Sequence, residues 1–532
     1  MLTKIGSFKK DLFKTPARVA FVAAVAGGFL VHLFGLLNLM HNYDDIFVHP
    51  VGWGSTIQSG RWGLALVGGV FHLLFGTYNV PLIYGLILLV FLGFSAAQLV
   101  KMFDVRSYKI AAALGGLLVV FPAVTSTLFF KFTAHYYGLA IFLAVVAARK
   151  LAESKRGFWL GTLFMVLSLS IYQAYLPLTI GLLVLVLLKR TLEEENATFL
   201  RTLRTGLFFC LSILAAVAVY RVMVDVSVVL GNKILVLVRQ AMPGVVLDDF
   251  TLLDYQGINT MGQFTLSSLL ASVMTAYKLF FLHPFNGFCG LAPTALLQVV
   301  YPLLWALTIV AVVVPLIVKK KRFTHIGGAV LLLLLLPLAT NFISVMCPDS
   351  DVYTIMAYGF VLVPCAPLLL YESWRDAAVP QRVHKVCKRV LTGAIAFMLA
   401  AYAFWTPVNY TYLYFGNRQT ENYFASMVTQ IRMTEDFTDD KPWAFIGRIR
   451  DPLLKTPWDE VPIYGGNAGI KRMYHSYSRN EWITNYVGYK PKWASDAKVA
   501  KIKKTAAFKE MPIWPDEGSI RVIDGCVVVR FQ

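Results

Sequence analysis

The sequence predicts an all-α polytopic membrane protein with about 11 transmembrane helices, additional interfacial helices and a small α+β C-terminal domain. Three observations predict it. Of 532 residues, 57% are hydrophobic and 15% charged, against roughly 25% charged in an ordinary soluble domain. Runs such as Leu303–Val318 and Val330–Leu338 have no polar face to offer water. The basic residues behind the net charge of +19 gather in clusters between the apolar runs. This composition excludes a disordered chain, which needs low hydrophobicity and high charge. A basic excess sorted in this way reads as cytoplasmic loops, not as a nucleic-acid surface.

The spans follow in order. Helices are expected at about 19–39, 80–100, 110–130, 134–148, 157–173, 175–188, 205–224, 293–318, 325–345, 352–371 and 390–408. The first keeps its place, because about 20 apolar residues follow a long basic stretch with no small-residue cleavage site. Two apolar stretches, Arg61–Gly76 and Phe264–Leu282, are read as interfacial or re-entrant helices on the outer side. With those two left out, 25 of the 31 Lys and Arg residues before residue 409 fall in cytoplasmic segments. The odd number of spans then puts the N-terminus inside and the tail outside. The chain divides into a transmembrane part, residues 1–408, and an extracytoplasmic domain, residues 409–532. In the latter, Asn417–Phe437 and Ala494–Phe508 read as helices, and Trp443–Gly447, Ser519–Ile523 and Cys526–Phe531 as strands.

Charge near a bilayer is costly, so retained charge marks function. The densest case is the first external loop: His41-Asn42-Tyr43-Asp44-Asp45, then Gly60-Arg61-Trp62. Asp44 and Asp45 are candidate catalytic residues, since a carboxylate at the membrane plane suits a general base that must reach a lipid-linked substrate. Arg61 is the first candidate for phosphate, whose oxygens its guanidinium fork matches, with Lys131 and Arg221 next. Tyr43, Trp62, His135, Tyr136, Tyr172, Gln173, His283, Asp349 and Asp351 are candidate substrate contacts at the outer ends of the helices. Each has a plainer reading. The two aspartates serve equally as solvated loop residues, Gln173 as a backbone partner at a helix break, and Arg221 as the partner of Asp225.

No phosphate-binding GxxxxGK[ST] loop and no strand-associated GxGxxG occurs. Nucleotide-driven chemistry is therefore not supported. The six cysteines are scattered without CxxC spacing, which gives neither a zinc site nor a disulfide framework, although a Cys289–Cys347 bridge stays open. Nothing requires a cofactor. An acidic pair that did hold a metal would take Mg²⁺ or Mn²⁺ through oxygen ligands.

The chain resembles the type-II glucosyltransferases of bacterial and phage serotype conversion, polytopic enzymes of the GT-C class. The resemblance rests on Asn42-Tyr43-Asp44-Asp45 with Gly60-Arg61-Trp62, and on Phe121-Pro122, Tyr136–Leu143 and Ser170-Ile171-Tyr172-Gln173-Ala174-Tyr175. It extends through Leu336-Pro337 to Asn341, and in the tail to Met511-Pro512-Ile513-Trp514-Pro515, Gly518-Ser519-Ile520 and Val527-Val528-Val529. It implies a sugar, typically glucose, taken from a polyprenyl phosphate carrier at the outer leaflet and attached to a surface polysaccharide or lipid-linked glycan. It also places an acidic catalytic residue in the first external loop, the place of Asp44 or Asp45. Two other functions stay open: a transporter or flippase for a lipid-linked sugar, and a non-catalytic subunit of an envelope-assembly complex. The ionisable residues cluster at the outer helix ends and not at the midplane, which argues against the transporter.

Overall fold

A computed structural model describes residues 14–48, 56–76, 80–241, 248–252, 265–285, 289–347, 351–449, 461, 463–464, 474 and 476–532. In chain order the main helices are α1 (Pro16–Leu37), α2 (Tyr43–Val48), α3 (Trp62–Phe75), α4 (Pro81–Met102), α5 (Tyr108–Val120), α6 (Pro122–Thr127), α7 (Lys131–Glu153), α8 (Gly157–Ile171), α9 (Leu176–Glu193) and α10 (Phe199–Ala241). They continue with α11 (Leu266–Leu282), α12 (Ala295–Val318), α13 (Phe323–Thr340), α14 (Ile343–Met346), α15 (Leu362–Tyr371) and α16 (Gln381–Arg432). The tail adds β1 (Trp443–Ile446), α17 (Ser476–Trp482), α18 (Asp496–Ile502), α19 (Ala506–Lys509), β2 (Ile520–Ile523) and β3 (Cys526–Arg530).

Local chemistry sets many of the helix starts. Thr15 caps α1, with Pro16 at the first helical position, where its missing N–H costs nothing. Ser107 caps α5 and Thr294 caps α12 in the same way. Thr265 and Ser268 form a reciprocal capping box at α11.

Among the described residues, nine helical stretches are long and apolar enough to cross a membrane. The protein is an all-α polytopic membrane protein with a small C-terminal sheet region. Helices α3 and α11, the stretches read as interfacial, are 14 and 17 residues long and fall short of a span. Two of the expected spans are also shorter than a bilayer. Helix α8 has 15 residues, and the stretch expected at 352–371 is two 3₁₀ turns followed by the 10-residue α15. Pro364 and Pro367 lie within that segment and remove backbone donors.

By its contacts the chain forms two compact units. The first comprises Met1–Leu39, Pro50–Asn409 and Pro462–Asn467. Its centre is a set of helices in which α1 packs on α4 and α5, and α4 on α7. Small residues permit this approach: a Cβ at Gly115 would lie 2.2 Å from the Ala20 carbonyl oxygen. Helix α10 runs for 43 residues, or about 65 Å, roughly twice the hydrocarbon thickness. Arg221 and Asp225 therefore sit mid-helix and do not end it, as the sequence suggested.

The second unit comprises Met40–His49, Tyr410–Val461 and Ala468–Gln532. Its sheet has the order β1-β3-β2, with β1 parallel and β2 antiparallel to β3. Strands β2 and β3 join through Asp524 and Gly525, both at positive φ (48° and 71°), the pairing that a two-residue hairpin turn demands. Ala444, Ile446, Val528 and Cys526 pack with Ile502, Met511 and Ile523 in the core. The strands lie within a residue of the expected positions. The helical reading of Asn417–Phe437 is correct in kind, but the break expected before it is absent. Helix α16 runs unbroken through Pro407. Tyr410, Tyr412 and Leu413 are each at least nine-tenths buried, and that packing overrides the β preference of the Tyr-Thr-Tyr-Leu-Tyr segment.

Candidate active site

In the first unit, the short 3₁₀ turn Ile57–Ser59 leads into Arg61 and then α3. Gly60 closes that turn at φ 70°. Gln173 Nε2 donates to the Ser59 carbonyl at 3.0 Å and to Tyr220 Oη at 2.7 Å. Tyr220 Oη donates in turn to the Gly60 carbonyl at 3.2 Å. The two side chains thus hold the backbone immediately before Arg61. The guanidinium itself lies 4.9 Å over the Tyr172 ring, and its Nη1 donates to Tyr137 Oη at 3.2 Å. Tyr137 and Tyr172 stack at 4.4 Å, 12° from parallel. Arg61 is half-buried, with its face on an aromatic plate and its backbone pinned. That is an arrangement suited to presenting N–H donors to an anion. Trp62 is buried in the first turn of α3, where Gly63 packs directly on Ser170 of α8.

The other cations of this unit are placed differently. Lys131 is almost fully buried, and its Nζ donates to the Asn38 carbonyl at 3.0 Å, at the C-terminal end of α1, where a cation offsets the helix dipole. Arg221 pairs with Asp225 at 3.3 Å, both side chains well exposed, so the plainer of its two readings describes its surroundings. His135 is buried among Phe71, Tyr84 and Tyr136, stacked on Tyr84 at 4.1 Å. Neither of its ring nitrogens has a hydrogen-bond partner among the described residues. His283 Nε2 lies 3.3 Å from Ser344 Oγ, which donates to Asn341, and Asn341 Nδ2 bonds the Ala276 carbonyl of α11. Asp351 is exposed, and Asp349 lies outside the described residues. All six cysteines are unpaired, so the Cys289–Cys347 bridge does not form.

In the second unit, Asn42 opens α2: its Oδ1 accepts from the N–H groups of Asp44 and Asp45 at 2.9 and 2.8 Å. The two carboxylates then part company. Asp45 is fully buried, and its Oδ2 meets His41 Nδ1 at 2.6 Å. Asp44 is only half-buried, as is Tyr43. The His41 ring stands edge-on to Trp482 and Tyr486 at 6.1 and 5.5 Å. Asn417 of α16 clamps the His41 backbone, accepting from its N–H at 2.7 Å and donating to its carbonyl at 2.9 Å. Burial first, and the Asp45 charge second, push the Tyr486 hydroxyl well above its ordinary range, so it keeps its proton. That hydroxyl is buried without a hydrogen-bond partner among the described residues. The reading of Asp45 as a solvated loop residue is thus overturned, while Asp44 is only half-buried.

Sequence reasoning named His41 and Tyr137 within candidate stretches without giving either a role, and passed over Tyr220, Asn417, Trp482 and Tyr486. The i,i+4 spacing of His41 and Asp45 was a usable signal for the first. Nothing in the sequence links His41 to Asn417, which lies 376 residues away. Among the described residues no three His, Cys, Asp or Glu side chains converge on a metal-sized site.

Comparison with known families decides what these two clusters belong to. The profile of the family described as Glucosyl transferase GtrII matches residues 33–364, well over half of the chain and inclusive of Asp44, Asp45, Arg61, Lys131 and Gln173. The chain belongs to the GtrII glucosyl transferase family. As a GtrII glucosyl transferase it needs a sugar donor, an acceptor and a membrane to work in, and its apolar helices supply the fit to the last. No curated protein and no solved structure matches the chain. The GtrII match ends before α16 and the tail sheet, so the second unit beyond its α2 segment lies outside the shared region.

Proposed function

We propose that this GtrII protein transfers glucose from a polyprenyl phosphate to a surface polysaccharide or lipid-linked glycan on the outer face of a bacterial inner membrane, by a single inverting displacement. The acceptor hydroxyl oxygen attacks the anomeric carbon while the bond from that carbon to the phosphate oxygen breaks. The acceptor proton passes to Asp44, and the electron pair leaves with the polyprenyl phosphate. Asp44 is the base because the residue is only half-buried, whereas Asp45 is sealed against His41 and positions α2. General-base help of this kind contributes roughly 10²–10⁴-fold. Arg61 neutralises the charge that develops on the departing phosphate, a term that a well-aimed donor supplies at a few kcal/mol. The N-terminus is cytoplasmic, and residues 409–532 form the extracytoplasmic domain on the acceptor side.

The observation that carries this reading is the guanidinium of Arg61, stacked on Tyr172 and bonded to Tyr137 within the segment that GtrII proteins share. The test is incubation of the purified protein with labelled glucosyl polyprenyl phosphate and a polysaccharide acceptor. Covalent label in the acceptor supports the proposal. Label that crosses a proteoliposome membrane without becoming covalently attached would replace it with the transporter reading.

A further inference from the structure

The second unit carries a partly buried cationic side chain that the chemistry above does not use. Arg479, on α17, is half-buried. Its guanidinium sits 5.1 Å over the Phe445 ring and 5.0 Å over the Trp493 ring. Those rings stand 5.1 Å apart and nearly perpendicular, so the cation occupies the corner between them. Every part of the corner is fixed. Phe445 belongs to β1, on the face opposite Ala444 and Ile446. Trp493 is held against the edge of β1, because Trp443 N–H donates to the Lys492 carbonyl at 2.7 Å and Ala494 N–H donates to the Trp443 carbonyl at 2.9 Å. The Trp493 indole N–H donates to Asn480 Oδ1 at 2.9 Å. Tyr489 extends the aromatic row, stacked on Trp443 at 4.9 Å.

Among the described residues, no carboxylate pairs with Arg479 and no side chain accepts its N–H groups. Burial works against its charge. A guanidinium stripped of part of its water, with no anion at hand, is an incomplete ion pair. Trp493 meanwhile leaves about a third of its surface open, 36%. An open indole offers a plate for a sugar ring, and the guanidinium beside it offers two parallel N–H donors to a carboxylate or phosphate. Lys490 and Lys492 are exposed nearby in sequence and give the segment a positive bias.

We propose that the corner formed by Arg479, Trp493 and Phe445 is a docking subsite for an anionic sugar of the acceptor glycan, one that carries a carboxylate or a phosphate. The subsite extends the glycosyl transfer proposed above to its acceptor, but it is tested by binding, without turnover. The full-length protein in nanodiscs of neutral lipid is titrated with three oligosaccharides of equal length: one bearing uronic acids, one bearing phosphate monoesters and one neutral. An anionic vesicle is the fourth titrant. The expected result is tighter binding of at least one anionic oligosaccharide than of the neutral one, by roughly tenfold, the equivalent of one good charge-assisted contact. Trp493→Ala weakens both kinds of oligosaccharide. Arg479→Gln abolishes the preference for the anionic one, and Arg479→Lys recovers only part of it, because an ammonium lacks the planar fork. Near-UV circular dichroism shows that each variant keeps its packing, so that weakened binding reports the subsite. Equal binding of charged and neutral oligosaccharides by the parent protein overturns the proposal. So does an unchanged preference in Arg479→Gln, or dependence on Arg479 and Trp493 seen only with the anionic vesicle. Binding as expected in a protein that transfers no glucose keeps the subsite and rejects the transfer chemistry.

Discussion

Replacing Gly60 by alanine tests whether the turn before Arg61 is what aims the guanidinium. The residue sits at φ 70°, where an L side chain costs about 1–2 kcal/mol. A Cβ built there would lie 2.7 Å from Tyr220 Oη and 3.1 Å from Gln173 Nε2. The tyrosine hydroxyl must then move and give up its bonds to Gln173 and to the Gly60 carbonyl, each worth about 0.5–1.5 kcal/mol net. Together these give a local cost of about 2–5 kcal/mol, concentrated on the few residues that carry Arg61. A displacement of about 1 Å at a phosphate contact can lower turnover by roughly 10²-fold. The assay measures kcat/KM for the glucosyl polyprenyl phosphate donor and for the acceptor separately, alongside thermal unfolding in detergent. Gly60→Ala is expected to lower donor kcat/KM by one to two orders of magnitude and to lower Tm. Tyr220→Phe, which deletes the hydroxyl but leaves the glycine, is expected to act in the same direction at somewhat over half of the free-energy cost. Wild-type donor kinetics and Tm in Gly60→Ala would refute the reasoning, because the strain and the clash would then have no consequence.

Three other outcomes follow from the same geometry. Arg61→Ala is expected to cost donor kcat/KM more than acceptor KM, by at least tenfold, and equal losses on both sides would remove the phosphate role. Lys131→Gln is expected to change donor KM less than twofold while lowering stability by about 1 kcal/mol, since its ammonium serves the end of α1; a large donor effect with normal Tm would return Lys131 to the phosphate site. His41→Ala removes the imidazole that meets the buried Asp45 carboxylate and is expected to destabilise the protein by about 3–5 kcal/mol, whereas Asp45→Asn, which still accepts from Nδ1–H, is expected to cost about 1–2 kcal/mol. Equal effects in a thermal unfolding comparison would show that the pair does not act as a buried unit.

Much of this molecule was legible because hydropathy and charge are local properties. The apolar runs at Ala295–Val318 and Pro81–Met102 need no partner to declare themselves, and the short apolar run at residues 526–529 reads as a strand in the same way. What failed to show is what depends on packing. The helix through Pro407 continues because Tyr410 and Leu413 are buried, a fact no propensity contains. The difference between Asp44 and Asp45 is likewise tertiary. The two residues are adjacent and chemically identical in the sequence, and only the clamp from Asn417 and the rings of Trp482 and Tyr486 show that one of them is enclosed. Arg61 was identifiable as a cation beside a membrane helix, but its seat on Tyr172 and Tyr137 joins segments far apart in the chain. The sequence alone offers no comparable sign for Arg479, whose significance lies in its seat over Phe445 and Trp493 with no carboxylate paired to it among the described residues.

The central claim is that Asp44 takes the acceptor proton during transfer from a polyprenyl phosphate donor. It is tested most directly by the single-turnover rate of labelled glucose transfer in Asp44→Asn, at saturating donor and acceptor, with Asp45→Asn measured beside it. The account predicts a fall of roughly 10²–10⁴-fold in Asp44→Asn with an unchanged Tm, and a smaller loss accompanied by a lower Tm in Asp45→Asn. A wild-type rate in Asp44→Asn would contradict it.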